Sequence, residues 1–491
     1  MHFKHIPSEL MLILVDEYIS PDDIEAFSLS CRGVYDIADS RLRKHRELTK
    51  SFSYLVVDLR NFFTGGEQWN KLYQCCSDPW TARYPKHLHI IAPSHEFLAS
   101  KRAPIDQAIG DMIRESAPFN RFISLEEIGD WSVSANATHD AMAAICLSFL
   151  PNLYTFNLEY VGKATAGWHY SRVTCVLQRS LDQRRTRACY GHLSQLTNVK
   201  LHASVGVAPL MEWFRVFLNL PSMRSIEGRN VFSLDGQEQP HTAATRDSKV
   251  TSIALDRCLI LAEPFSTVLS RLESLQKFTY THWPHPYNCD PSISVPQQRL
   301  LGRDEPQRIV NTLIDHARDS LQTLHLSFSC KQCAGPIAYL KGFNFLKSII
   351  LSASLLFRRN DTVVDLVELL PSTIEYLKVT HELPSSANER SRHQKQQYEL
   401  LTTLPSIRGN FSGSLRYQTL SIVKLDFNKN LHVPGTTAWR HVVAQYTVHP
   451  GPGGALQSLK PDEYLEWMEC GEDSSLAVQD LTSSTETYSL G

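Results

Sequence analysis

Cys330-Lys331-Gln332-Cys333 has the spacing that places two thiolates on one tetrahedral metal ion. It is half a zinc site, because no second pair of matching spacing accompanies it and it follows a predicted core strand. His282, His285 and Cys289 share one Pro-rich stretch and supply metal-ligand atom types. With twenty histidines in the chain, such a cluster arises by composition alone, and a surface loop is the simpler reading. No G-x-x-x-x-G-K-[S/T] phosphate loop, no G-x-G-x-x-G after a strand and no G-x-S-x-G elbow occurs. Nothing singles out a nucleophile. The basic runs Arg41, Arg43, Lys44, His45, Arg46 and Arg184, Arg185, Arg187 read as solvated helix faces. The expectation is a non-catalytic protein without metal or cofactor.

The residues with most to say lie in the first fifty positions. Leu10, Ile13 and Leu14 recur at helical spacing behind Pro7 and Glu9. Ser20 offers a cap, Pro21 suits a first helical position, and Asp22 and Asp23 face the positive helix end. Ile24, Phe27 and Leu29 give that second helix its apolar side. A third helix is predicted from about Arg32 to Lys50, with Val34, Tyr35, Ile37, Ala38 and Leu42. Three short helices with this many apolar residues cannot hide them all from one another, so the module is built to dock. On the helices alone, an ordinary cap on a larger domain stays open.

Behind them one pattern returns, L-x-x-L-x-L with apolar residues at each marked place. It runs through Leu153/Phe156/Leu158, Leu196/Val199/Leu201, a weaker Met223/Ile226, Val250/Ile253/Leu255 and Leu275/Phe278/Tyr280. It continues through Leu321/Leu324/Leu326, Leu346/Ile349/Leu351, Ile374/Leu377/Val379 and Leu420/Val423/Leu425. Many steps are about 25–28 residues, within the roughly 20–29 of leucine-rich repeats, and the longer ones hold insertions. Each copy predicts a short strand, and Met211–Leu218, Pro264–Leu272, Pro306–Ala317 and Val363–Leu370 are candidate return helices. Tyr54–Leu59 and His87–Ile91 look like strands that begin the array. Gly162–Gly191, Gly228–Lys249, Trp283–Glu305 and Pro384–Ser414, rich in Pro, Gly, Ser and charge, read as surface loops. Cys258 stands where such a repeat often uses Asn or Cys to satisfy turn backbone groups.

Ile6-Pro7-Ser8-Glu9-Leu10, Ile19-Ser20-Pro21-Asp22-Asp23-Ile24, Leu29-Ser30-Cys31-Arg32 and Tyr35 together resemble the F-box, above all the short form common in filamentous fungi. Two positions depart from the family pattern, Ile6 for leucine and Tyr35 for tryptophan. The resemblance implies docking on the Skp-type linker of a cullin–RING ubiquitin ligase through Ile6, Pro7, Leu10, Ile13, Ile24, Leu29, Cys31 and Tyr35. With the repeat and an acid-rich end behind it, the expected organisation is an α/β chain in three parts: a helical F-box-like domain at 1–50, an irregular leucine-rich-repeat solenoid at 51–449, and an acidic, largely disordered tail at 450–491. The expected function is a substrate-recognition adaptor for protein ubiquitination, with catalysis left to other subunits. The alternative is a repeat scaffold acting outside a ligase.

The exposed concave face of the array is the candidate substrate surface. Period-two alternation puts Asn157, Glu159, Lys200, His202, Asp256 and Thr279 there, and farther along His325, Ser327, Lys378 and Lys424. Both charge signs occur, which suits a protein or peptide better than nucleic acid, and a net charge of −2 agrees. Eleven scattered cysteines fit reduced, buried thiols. No apolar signal core or membrane-length apolar run appears, so the expected location is cytoplasmic and/or nuclear, with no membrane partner.

Overall fold

Pro7 sets the first turn: its carbonyl accepts from Met11 N–H at 3.1 Å and opens α1 (Ser8–Ile13). The chain widens into one π-helical stretch, Leu14–Tyr18, closed by Ile19 N–H on the Leu14 carbonyl at 3.0 Å. Here α2 spans Ile24–Leu29, so Pro21, Asp22 and Asp23 form the turn before it instead of its first turn. The reason is the carboxylate of Asp22, which is drawn sideways by Lys86 Nζ at 2.8 Å and Tyr154 Oη at 3.2 Å. Then α3 runs Arg32–Phe52, burying Val34, Ala38, Leu42 and His45 at helical spacing.

A computed structural model describes residues 6–19, 21–30, 32–60, 66–92, 138–160, 171–186, 193–203, 216–230, 248–260, 262–282, 304–328, 335–357, 362–381, 422–432, 439–447, 449–450 and 456–457. They fall into two units, Met1–Leu321 and Gln322–Gly491.

In the first unit seven strands pair in chain order, all parallel: β1 (Tyr54–Asp58), β2 (His87–Ala92), β3 (Thr155–Tyr160), β4 (Asn198–Ala203), β5 (Ser225–Arg229), β6 (Ser252–Cys258) and β7 (Lys277–His282). Registration aligns the apolar positions of the repeat. Leu55, Leu88, Phe156, Val199, Ile226, Ile253 and Phe278 form one buried row, and Val57, Ile90, Leu158, Leu201, Leu255 and Tyr280 belong to a second.

The backbone repeats as well. The carbonyl before each strand accepts from two successive amides of the next rung: Ser53 from Lys86 and His87, Lys86 from Tyr154 and Thr155, Tyr154 from Thr197 and Asn198. Thr197, Arg224 and Thr251 continue the series. Polar residues just ahead of the motif tie rungs together, as Ser222 Oγ donates to Leu196 O at 2.9 Å and Ser320 Oγ to Leu275 O at 2.9 Å. These bonds satisfy backbone groups that the turns would otherwise bury unpaired.

Helices lie in the connections: α4 (Glu67–Ser77), α5 (Thr138–Phe149), α6 (Ser171–Thr186), α7 (Ala262–Leu269) and α8 (Glu305–Ala317). Phe217 meets Phe156, and Phe265 on α7 meets Phe278, so one sheet face is covered by connecting segments. The α6 helix corrects the expected loop at Gly162–Gly191. Its Val173, Val176, Leu177 and Ser180 are buried at helical spacing, a narrow stripe within an otherwise polar sequence. At the end of β6, Arg257 takes φ 51° and the register shifts, while the Cys258 thiol donates to the Asp256 carbonyl at 3.3 Å.

The second unit repeats the rule with β8 (Thr323–Ser327), β9 (Ser348–Ser352), β10 (Tyr376–His381) and β11 (Ile422–His432), parallel in chain order, and a one-turn α9 (Leu366–Leu369). Gln322 and Lys347 each accept from the two amides that open the following strand. The array expected to run on to 449 is interrupted: β12 (Trp439–Thr447) turns back antiparallel on β11. A short antiparallel pair, β13 (His449–Pro450) with β14 (Leu456–Gln457), reaches into the expected tail. The rest of that tail, the 330–333 cysteine pair, His285, Cys289 and the Pro384–Ser414 insertion lie outside the described residues. The chain is thus a mixed α/β protein.

Candidate functional site

The helical start leaves apolar side chains in water. Leu10 is 52% exposed, Ile13 44%, Tyr18 73%, Leu29 68% and Tyr35 37%. Among the described residues these are five of the eight large hydrophobic side chains so exposed. Leu10 and Ile13 are three residues apart on α1 and therefore share a helix face. The inward faces are separate: Met11 and Val15, Ile24 and Ser28, and the α3 stripe are buried.

Of the predicted linker contacts, Leu10, Ile13, Leu29 and Tyr35 are exposed, Pro7 is exposed and Ile6 half-buried. Ile24 is corrected. It is fully buried, because α2 turns Ile24 and Ser28 inward and leaves Leu29 outside. Cys31 lies outside the described residues. Sequence reasoning missed Tyr18, which the π turn moves out of the helical period.

The helical module is fastened to the first rungs of the sheet. His45 Nδ1 and Tyr84 Oη lie 3.2 Å apart, and Lys44 Nζ sits 4.6 Å from the centroid of the Trp80 ring. Arg83 donates to the Ile19 carbonyl, and Lys86 bridges Asp22 and the face of Tyr154. Glu25 receives Arg46 Nε at 2.9 Å, and that hydrogen bond holds the Glu25 carboxyl below its ordinary range. Burial pushes the His45 imidazole down from its ordinary value.

The uncovered face of the first unit carries two inner rows of mainly polar residues, interrupted by Val56, Ala254 and Ile91. In one, His89, Asn157, Lys200, Glu227, Ala254 and Thr279 follow each other across β2–β7. In the other, Asp58, Ile91, Glu159, His202, Arg229 and Asp256 cross β1–β6. The charges pair between strands: His89 Nε2 with Glu159 at 3.1 Å, Lys200 Nζ with Glu227 at 2.6 Å, His202 Nε2 with Glu227 at 3.3 Å and Arg229 Nε with Asp256 at 3.2 Å. The hydrogen bond from His202, against the opposing effect of burial and with help from Lys200, holds Glu227 down at about 2.

The predicted face residues of this unit therefore share one side of one sheet. In the second unit His325, Ile350, Lys378 and Lys424 share a register row. Ser327 is corrected: it is 9% exposed, at the strand end where Phe328 N–H donates to Ser352 Oγ and Ser354 Oγ donates to Phe328 O.

His282, read from the sequence as part of a surface loop, is instead a core residue at the end of β7. It is 2% exposed and hydrogen-bonded to Tyr280 Oη at 2.9 Å. Among the described residues no group of His, Cys, Asp and Glu is placed to hold a metal ion. Cys75, Cys76, Cys146 and Cys258 are buried free thiols, and burial pushes the Cys146 thiol up to about 12. No described helix is long and apolar enough to cross a membrane. No family model matches the chain, and no curated protein matches it.

Proposed function

We propose that this chain is a substrate-recognition adaptor of a cullin–RING ubiquitin ligase. Its F-box-like helices dock a Skp-type linker, and an irregular leucine-rich-repeat solenoid holds a protein substrate. The observation that carries the reading is the concentration of exposed apolar side chains, Leu10, Ile13, Tyr18, Leu29 and Tyr35, in a module whose own core is already filled. Such a cluster marks a protein interface, because burying it in a partner recovers about 25 cal/mol per Å² of apolar surface. The rung-by-rung carbonyl pattern and the in-register apolar rows support the solenoid.

Catalysis in this reading is proximity. The adaptor raises the effective concentration of a substrate lysine near a charged conjugating enzyme, and it supplies no reacting group. The joint of Tyr84, Trp80, Arg83 and Lys86 against the helices gives the docking module a packed mounting on the sheet that would carry the substrate.

The test is co-purification of the full chain with purified linker and cullin. The chain is expected to recover both, and Leu10→Ala with Leu29→Ala to recover neither. Recovery of linker without cullin would instead support a scaffold outside a ligase, and recovery of neither by the unaltered chain would refute the adaptor.

A further inference from the structure

Met11 and Val15 are 1% and 0% exposed and fix which side of α1 meets the core. An α-helix advances about 100° per residue, so a regular helix would bring Tyr18, seven residues past Met11, back to within about 20° of it. A side chain at that phase packs inward. Tyr18 is instead 73% exposed, the most open of the large hydrophobic side chains among the described residues.

The difference is the π stretch Leu14–Tyr18, whose closing bond runs from Ile19 N–H to the Leu14 carbonyl, five residues back. A turn closed over five residues advances less per residue than one closed over four, and over this stretch the lag comes to roughly 60°. Leu10 lies about 100° behind Met11, and Ile13 about 160° behind. The lag therefore carries Tyr18 from the Met11 side to the Leu10 side, about two turns farther along. Leu10, Ile13 and Tyr18, all exposed, then share one flank of the first helical segment.

The same turn presents the Ile19 carbonyl to Arg83 and so serves the mounting of the module. That role needs no aromatic ring at Tyr18, because a polar side chain would leave the backbone bond unchanged. Holding the ring in water is unfavourable in the free chain, and only a partner that covers it reverses the sign. An aromatic side chain buries about 150–250 Å², and tyrosines seated in pockets are among the residues that dominate interface energetics.

We infer that Tyr18 is the aromatic anchor of the docking surface: the π turn delivers its ring to an apolar pocket on the linker, and Leu10 and Ile13 exclude water beside it. The inference deepens the adaptor reading and rests on it. It places much of the docking energy at a position that the α-helical period would hide.

Purified Skp-type linker is titrated calorimetrically into the full chain and its variants, and each is also unfolded thermally. Tyr18→Ala is expected to weaken binding about thirtyfold or more, with an unchanged unfolding midpoint. Tyr18→Phe keeps the ring and is expected to bind within about threefold of the unaltered chain. Tyr54→Ala removes another open tyrosine, 55% exposed on β1, and is expected to leave binding as it was. Hydroxyl-radical footprinting gives a readout independent of affinity: Tyr18 is expected to be labelled in the free chain and protected by the linker. Equal binding by Tyr18→Ala, a lowered midpoint in that variant, Tyr18→Phe as weak as Tyr18→Ala, or a Tyr18 protected in the free chain would each overturn the inference. If Leu10→Ala with Leu29→Ala abolishes binding while Tyr18→Ala does not, the anchor fails and the adaptor reading stands. No binding by the unaltered chain removes the adaptor reading, and the anchor with it.

Discussion

Tyr280 has one hydroxyl proton, and it goes to the Cys258 carbonyl at 3.0 Å, a group that only accepts. The Tyr280 oxygen must therefore accept from His282 Nδ1–H at 2.9 Å. Burial pushes the His282 imidazole down to about 4 from its ordinary 6.5. The unfolded chain takes up that proton first as pH falls. Stability is full above about pH 6.5 and declines through the window down to about 4, by up to roughly 3 kcal/mol for this one group. The urea midpoint is expected to drop across that window, and His282→Asn to flatten the drop. Glu227 acts with the same sign, because its folded pKa is also depressed. Its contribution is present above about pH 4.5 and is lost as pH falls toward 2. In an NMR titration His202→Ala is expected to move the Glu227 carboxyl back toward 4.5. Neither behaviour was legible in the sequence. His282 read as part of a surface loop with His285, and the pairing of His202 with Glu227 depends on strand register that residue types do not reveal.

At the scale of elements, the strands were the readable part. Nine copies of the apolar pattern, together with Tyr54–Leu59 and His87–Ile91, correspond to β1 through β11. The reason is physical: a strand with one covered face must alternate, and rungs stacked in register must share positions. Helices were less readable. The polar α6 hides its stripe, α2 starts late because Asp22 is held elsewhere, and antiparallel β12 follows no repeat. Two element predictions follow from burial. Leu158, 0% exposed between neighbours in two rungs, is expected to cost about 2–5 kcal/mol on change to Ala, read as a lowered unfolding midpoint. Glu305 is 1% exposed and caps a different helix from its own: its Oε1 accepts from Ala262 N–H at 2.6 Å at the start of α7, while Oε2 meets Arg308 at 3.1 Å. Glu305→Ala leaves that amide unpaired and is expected to lower stability by about 1–3 kcal/mol, with the faster hydrogen exchange concentrated in α7.

For the molecule as a whole, the N-terminal helices are joined to the first strands of the sheet through named contacts. The module was legible because its apolar residues exceed what three short helices can bury. Which of them stay outside was not: Ile24 went in and Tyr18 came out. The most direct measurement is calorimetric titration of purified Skp-type linker into the full chain and into Leu10→Ala with Leu29→Ala. Both side chains are exposed, so thermal unfolding of the variant should match that of the unaltered chain. The account predicts saturable binding to the unaltered chain, weakened at least about tenfold in the variant, which is about 1.4 kcal/mol. No binding by the unaltered chain, or equal binding by the two, would contradict it.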